Sequence, residues 1–183
     1  FMEAGSSESS MQAVQALKRR NALTIRSNFS IQVSPDEAKD PLAVLRRAEA
    51  LKLTYTDAEL TPLPGLQIGT LKLFIDGDFM SPSLRGAFIE PYVENVGTVK
   101  QAKWASTGNY GELYFPSQLL TPLMKVADQH GWQIHGHVNG DRAIRSVLDS
   151  VEAVQIANGT GKPEDNRRHT FTHLLLIDDA DIP

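Results

Sequence analysis

The chain has 183 residues, of which 41% are hydrophobic and none is cysteine, and its formal net charge at neutral pH is −4. That length suffices for one domain with a sizeable core, and the lack of thiols excludes disulfides and thiolate metal sites, leaving histidine, carboxylate or a modified lysine as ligand types. With no basic run longer than Lys18-Arg19-Arg20 and no apolar stretch near the ~20 residues of a membrane helix, the expectation is no nucleic acid, no membrane, and the cytoplasm as default location.

The first residues read as the tail of a strand running into a Gly/Ser turn. Met11, Val14 and Leu17 then share a helical face about three turns long, and its basic end, Lys18-Arg19-Arg20, suits a helix C-terminus before Asn21. Residues 23–33 partly alternate and are rich in β-formers, which predicts a strand. Ser34-Pro35-Asp36-Glu37 has the cap, first-turn proline and capping-box glutamate of a helix start, and Asp40-Pro41 offers a second one. Leu42, Leu45, Ala48 and Leu51 place the main helix at residues 41–51.

Thr61-Pro62-Leu63-Pro64-Gly65 is an expected turn, and residues 66–76, LQIGTLKLFID, are the next strong strand. Residues 77–115 hold no sustained period and are too long for an idle connection, which makes them a candidate active-site loop. Ser117 is the expected cap of a helix burying Leu119, Leu120, Leu123, Met124 and Ala127 and stopping at Gly131, with Pro122 unaccounted for inside it. Next comes WQIHGHVNGDRAI, an apolar run whose His135 and His137, two apart, share one side of a strand. Asn139-Gly140 supplies a tight turn, Asp141 an expected helix cap, and Ile144, Val147, Leu148 and Val151 a helical face continuing to about residue 158. A Gly/Lys/Pro linker and a final strand at residues 168–177 follow. The alternation of strand and helix argues an α/β fold with a parallel sheet and flanking helices, in which chemistry sits at the mouth formed by the strands' C-terminal ends.

Ligating side chains recur at those ends: Lys72 and Asp76 on LKLFID, His135 and His137 on IHGH, His169 and His173 on HTFTH. Period two puts each pair on one face of its strand. Each residue also has a plainer reading. Lys72 is either solvated or paired with a carboxylate such as Asp76, Asp76-Gly77 is a turn, Asp141 is only a cap, and His130 before Gly131 complements a helix dipole. A lone strand histidine is usually a hydrogen-bonded structural residue. Histidines on two successive strands together with a strand lysine favour the chemical reading, since neutral imidazoles suit zinc and similar divalent ions.

KLFIDG, a long loop with EPY, GELYFP before a helix, HGHVNGDRAI and RRHTFTHLLLIDDADIP together resemble the amidohydrolase family 3 branch of the metal-dependent amidohydrolase superfamily. The resemblance implies a (β/α)8 TIM barrel with one or two divalent ions, commonly zinc. By matching motif, Lys72 corresponds to the bridging, often N6-carboxylated lysine, His137 to the fifth-strand ligand and His173 to the sixth-strand ligand, while His135 and His169 match no ligand position and are read as pocket or core residues. Asp76, His135, Glu90 and Tyr92, the last two in EPY, are the expected substrate-pocket residues. The activity implied is hydrolysis of an amide-type C–N bond of a small-molecule substrate by metal-activated water. The family's first-strand HxH and eighth-strand aspartate have no counterpart, so residues 1–183 are expected to be an incomplete barrel domain, its second to sixth strands, against about 250 residues for an intact one. Open sheet edges predict self-association, and turnover by the isolated chain is not expected to be assured. Two other readings are an aldolase-like barrel with Lys72 as Schiff-base nucleophile, and a non-catalytic folded fragment.

Overall fold

The structure, a computed structural model, describes residues 2–56, 65–78, 86–165 and 167–182, so the expected turn at Thr61-Pro62-Leu63-Pro64 lies outside the described residues. In chain order the elements are β1 (Met2–Ser6), α1 (Glu8–Arg19), β2 (Ser27–Gln32), α2 (Pro41–Tyr55), β3 (Leu66–Phe74), a hairpin of β4 (Val93–Asn95) and β5 (Trp104–Ser106), α3 (Ser117–Gln129), β6 (Gln133–Val138), α4 (Asp141–Asn158) and β7 (Thr170–His173). Strands β1, β2, β3, β6 and β7 form one parallel sheet in that order, and each neighbouring pair is joined through a helix. Successive helices pack beside one another, as expected when all the crossovers share a hand. Among the described residues no helix is long and apolar enough to cross a membrane.

The core lies between the sheet and these helices. Phe29 and Ile31 of β2, Leu71 and Leu73 of β3 and Ile134 of β6 are almost fully buried there with Leu45, Ala48, Leu120, Leu123 and Met124 from the helices. Which β3 residues join that core depends on one slip in register. Phe29 pairs with Ile68, but Ser30 pairs with Thr70, so Gly69 is an extra residue. Shifting a strand by one residue exchanges its two faces. Leu66 and Ile68 before the slip, and Leu71, Leu73 and Ile75 after it, therefore all enter the core, whereas Thr70, Lys72 and Phe74 turn to the opposite face. Without the slip Lys72 would point at the helices.

Several helix boundaries differ from the sequence expectation. The Ser34–Glu37 capping box forms, with Glu37 Oε2 accepting from the Ser34 N–H and hydroxyl at 2.8 and 2.9 Å, yet it starts only a short 3-10 turn, Glu37–Lys39. The helix proper restarts where Asp40 Oδ1 accepts the Ala43 N–H at 3.0 Å. It runs on to Tyr55, whose hydroxyl donates to Glu8 Oε1 at 2.8 Å and ties α2 to α1. Ser117 is not a cap: Pro116 holds that position, its carbonyl taking the N–H groups of Leu119 and Leu120. Asp141 is not a cap either, since Gly140 precedes the first helical residue and its carbonyl accepts from Ile144. The last strand is Thr170–His173 rather than residues 168–177: its partner β6 ends at Val138, and beyond it only the Leu174 and Leu176 N–H groups still reach the Val138 and Asn139 carbonyls.

At the N-terminal end of the sheet the buried Asp128 collects polar groups from three elements. Its carboxylate pairs with Arg167 at 2.9 Å and accepts from Asn158 Nδ2 at 2.8 Å and Thr160 Oγ1 at 3.0 Å. His169 lies alongside, its Nδ1 accepting the Ile134 N–H at 3.1 Å and its Nε2 3.9 Å from Asp128. These groups join the end of α3, the end of α4 and the start of β7.

Candidate metal centre

The face opposite the helices carries two rows of paired residues near the strands' C-terminal ends. Gln32, Lys72, His135 and Thr170 stand side by side across β2, β3, β6 and β7, and one step further along stand Phe74, His137 and Thr172. By ladder parity His173 would share the face of Phe171, which packs on the core. Its φ of +83°, followed by +46° at Leu174, takes it out of the regular pleat. Its ring thereby lies 4.5 Å, centroid to centroid, from that of His137 in an edge-on arrangement. Lys72, His135, His137 and His173 thus gather in one place. His169, at the opposite end of its strand, does not join them.

Burial sets the electrostatics of this group. Lys72 is only 4% exposed, and that burial lowers the pKa of its amine. Its Nζ lies 5.1 Å from the centre of the Phe74 ring, and among the described residues no carboxylate pairs with it. His135, also buried, is held below the ordinary histidine range by burial and then by the positive charges of Lys72 and His173, and its Nδ1 has no hydrogen-bond partner. His137 is likewise lowered, first by burial and then by His173, with Asp76 opposing, Lys72 adding and the Gly77 carbonyl opposing. The neutral imidazole is the form that ligates metals.

Asp76 does not pair with Lys72. Fully buried, it accepts N–H groups from Ala87, Asn139 and Gly140, each at 2.9 Å, and so buckles the loop entering at residue 86 to the turn between β6 and α4. Burial raises its pKa in spite of those three donors and of His137. Gly140 permits the closeness of this join, since a Cβ there would come within 1.9 Å of the Ala87 carbonyl oxygen. The loop is held further by Asp141, which accepts the Ile89 N–H at 2.7 Å, and by Arg142, whose Nη2 reaches the Tyr110 and Gly111 carbonyls at 3.3 Å.

Tyr92 is half-buried, donates to the Gly86 carbonyl at 3.1 Å and meets Phe88 edge-on. Its phenol is raised by burial and by Asp76, partly offset by the bond to Gly86. Glu90 is exposed. Sequence reasoning missed the buried Asn139, whose amide Nδ2 sits 2.9 Å from the Gly77 carbonyl and 2.8 Å from His137 Nε2. The only signal for it was its place in the turn after the histidines.

A family model described as "Amidohydrolase family" matches residues 3–183. The chain belongs to the amidohydrolase family. It is 32% identical over 108 residues, 59% of its length, to protein LONG AFTER FAR-RED 3 of Arabidopsis thaliana, of which it covers 16%. Its fold is similar to two solved structures described as uncharacterized metal-dependent hydrolases, one from Pyrococcus furiosus with a TM-score of 0.62 and 20% identity, one from Pyrococcus horikoshii OT3 with 0.58 and 21%. Each likeness covers 98% of this chain but only 30% and 29% of those proteins. This amidohydrolase-family chain therefore spans less than a third of the length of the proteins it matches.

The donor set fits the divalent ion that the family implies. Two imidazoles in ring contact, one of them biased toward neutrality by burial, lie beside a buried amine and an orphaned imidazole nitrogen, His135 Nδ1. Among the described residues no three His, Asp or Glu side chains converge as a ready ligand set.

Proposed function

We propose that this chain forms one side of the site of a metal-dependent amidohydrolase acting on amide-type C–N bonds of a small-molecule substrate, within a (β/α)8 TIM barrel of which it is a part. The observation that carries the reading is the meeting of Lys72, His137 and His173 at the strands' C-terminal ends, with the lysine buried and paired to no described carboxylate. The barrel reading is supported by the order of the parallel strands, which follows the chain, and by the likeness of fold. His137 and His173 would hold the ion, zinc being among the metals that imidazole ligands suit, and N6-carboxylated Lys72 would be the third ligand. A bound divalent ion supplies Lewis acidity to water and to the scissile carbonyl.

The remaining roles belong to the protein's own groups. Burial favours an uncharged Lys72 amine, the form that adds carbon dioxide to give a carbamate and release one proton. Asp76 fixes the loop and the β6–α4 turn through backbone hydrogen bonds, and so keeps His137 in place. Tyr92, Glu90 and His135 are proposed to line the substrate side. Strands β1 and β7, at the two edges of the sheet, are proposed to self-associate, and the protein to reside in the cytoplasm.

The reading is tested by adding zinc and ¹³C-bicarbonate to the natural chain and to Lys72→Arg, and by assaying N-acyl and formamide compounds. A carbamate carbon signal that needs both zinc and Lys72, with amine release lost in His137→Ala, is expected. The same unpaired amine suits Schiff-base chemistry. Borohydride trapping of a carbonyl compound on Lys72, without any carbamate signal, would replace hydrolysis with the aldolase-like reading.

A further inference from the structure

We infer that Phe74 is a specificity-determining residue, the apolar wall of a subsite that takes a neutral, apolar substituent, above all an aromatic ring, beside the amide bond of the substrate. As part of a substrate site it rests on the proposed hydrolysis; as a place that binds apolar groups it stands on geometry alone. Phe74 is the last residue of β3 and shares the face that carries His135 and His137. Its neighbours there are all polar: Gln32, Lys72, His135 and Thr170 in the row before it, His137 and Thr172 in its own. The ring is nonetheless 36% exposed.

The ring stands beside two of the groups proposed to hold the ion. Lys72 Nζ lies over it, 5.1 Å from its centre, and the centre of the His137 ring is 5.2 Å away, tilted by 46°. Toward β1 stands Gly5, which has no side chain to cover the ring; a Cβ there would come within 4.0 Å of Cε2. An amide presented to Lys72 and His137 therefore brings a flanking substituent against Phe74.

The chemistry of this face decides which substituent gains. Polar side chains lose water when an apolar group covers them, whereas an exposed aromatic surface is stabilised by the same contact, and a second aromatic ring adds an offset or edge-on preference. A cation also favours the face of an aromatic ring. Here the lysine nitrogen already lies over the ring and would repel a second positive charge, and among the described residues no carboxylate forms an ion pair with Lys72 or His137 to offset it. The favoured substituent is therefore neutral.

The test is an NMR titration of the natural chain, Phe74→Ala and Phe74→Leu, each labelled with ¹³C in the phenylalanine rings, by benzamide, acetamide and benzamidine, without zinc and with it. The signal missing from both variants assigns Phe74. In the natural chain benzamide is expected to move that signal and to bind about tenfold more tightly than acetamide, with benzamidine, its cationic counterpart, weaker than benzamide. The preference for benzamide over acetamide is expected to fall to about twofold in Phe74→Ala and to keep an intermediate value in Phe74→Leu, which is apolar but has no ring. Equal binding of benzamide and acetamide by the natural chain, a Phe74 signal that does not move, or tighter binding of benzamidine overturns the inference without reference to any variant. An unchanged preference in a folded Phe74→Ala also overturns it. The two readings fail separately. If zinc is not taken up but benzamide keeps its preference, the hydrolase reading fails and the apolar subsite stands; zinc uptake with no preference in either titration removes the subsite and leaves the hydrolase reading in place.

Discussion

At the N-terminal end of the sheet, buried Asp128 takes an ion pair from Arg167 and hydrogen bonds from Asn158 and Thr160, and His169 accepts a backbone N–H from Ile134. At the C-terminal end, Lys72, His135, His137 and His173 gather, burial together with Lys72 and His173 holds His135 and His137 below the ordinary histidine range, and no described carboxylate forms an ion pair with any of the four. Both groups contain buried ionisable side chains. In the first, each charge meets its complement within the fold, which is what stability requires. In the second, like groups are collected and an imidazole nitrogen is left without a partner, an arrangement that costs stability and makes sense if something else is to be bound there. The two histidines of RRHTFTH divide between these ends: His169 belongs to the scaffold and His173 to the site.

The contrast can be broken from either side. Asp128→Ala removes one partner of a buried network and strands the donors of Asn158 and Thr160, so a loss of about 3 kcal/mol in urea unfolding is expected, with metal content per folded chain unchanged. Gly140→Ala sets a methyl against the Ala87 carbonyl and is expected to cost about 2 kcal/mol, because the loop must leave Asp76 to make room. The histidines of β7 should separate cleanly. His169→Ala leaves the Ile134 N–H unpaired and should cost about 1 kcal/mol without affecting metal binding, whereas the exposed His173→Ala should stay within about 0.5 kcal/mol and lose metal.

The smallest effect is on pH dependence. His135, His137 and His169 are held below the ordinary value of 6.5 in the folded chain, mainly by burial. On acidification the unfolded chain therefore takes up protons first. Their contribution to stability is present above 6.5 and is lost as the pH falls through the folded-state values. Asp76, raised above 3.8, works in the opposite sense at acid pH, its contribution fading as pH rises through its folded value. Urea unfolding at about pH 7.5 and about pH 5.5 should show the loss on acidification, and a His169→Gln, His137→Gln variant should show less of it.

Much of this was legible in the sequence because β-strand parity and helical spacing are local. The alternation of elements and the strand histidines follow from side-chain periods, and the structure places them as expected; at Asn139-Gly140 the backbone of Gly140 is extended, and what the glycine permits there is the close approach of Ala87. What was not legible depends on contacts distant in sequence. The face taken by Lys72 is decided by the slip at Gly69 against β2, and the position of His173 by a positive φ where β7 outruns β6. The apolar run from Leu174 to Ile177 looks like strand, but β6 has already ended at Val138, and the run is exposed. Asp76 and Asp141 were visible as turn and cap residues; their actual task, holding the backbone of a loop at Ala87 and Ile89, requires knowing where that loop returns. Glu90 was chosen for its motif, and its side chain is exposed.

The central claim is that His137 and His173, with Lys72, bind a divalent ion. Its most direct test is elemental analysis of metal per chain, after purification without chelator, on the natural chain and on a His137→Ala, His173→Ala double variant. The account predicts near one zinc per natural chain and a loss of it in the double variant, whose fold is retained by the Asp128 network at the other end. Equal metal content in the two proteins, or none in either, would contradict it.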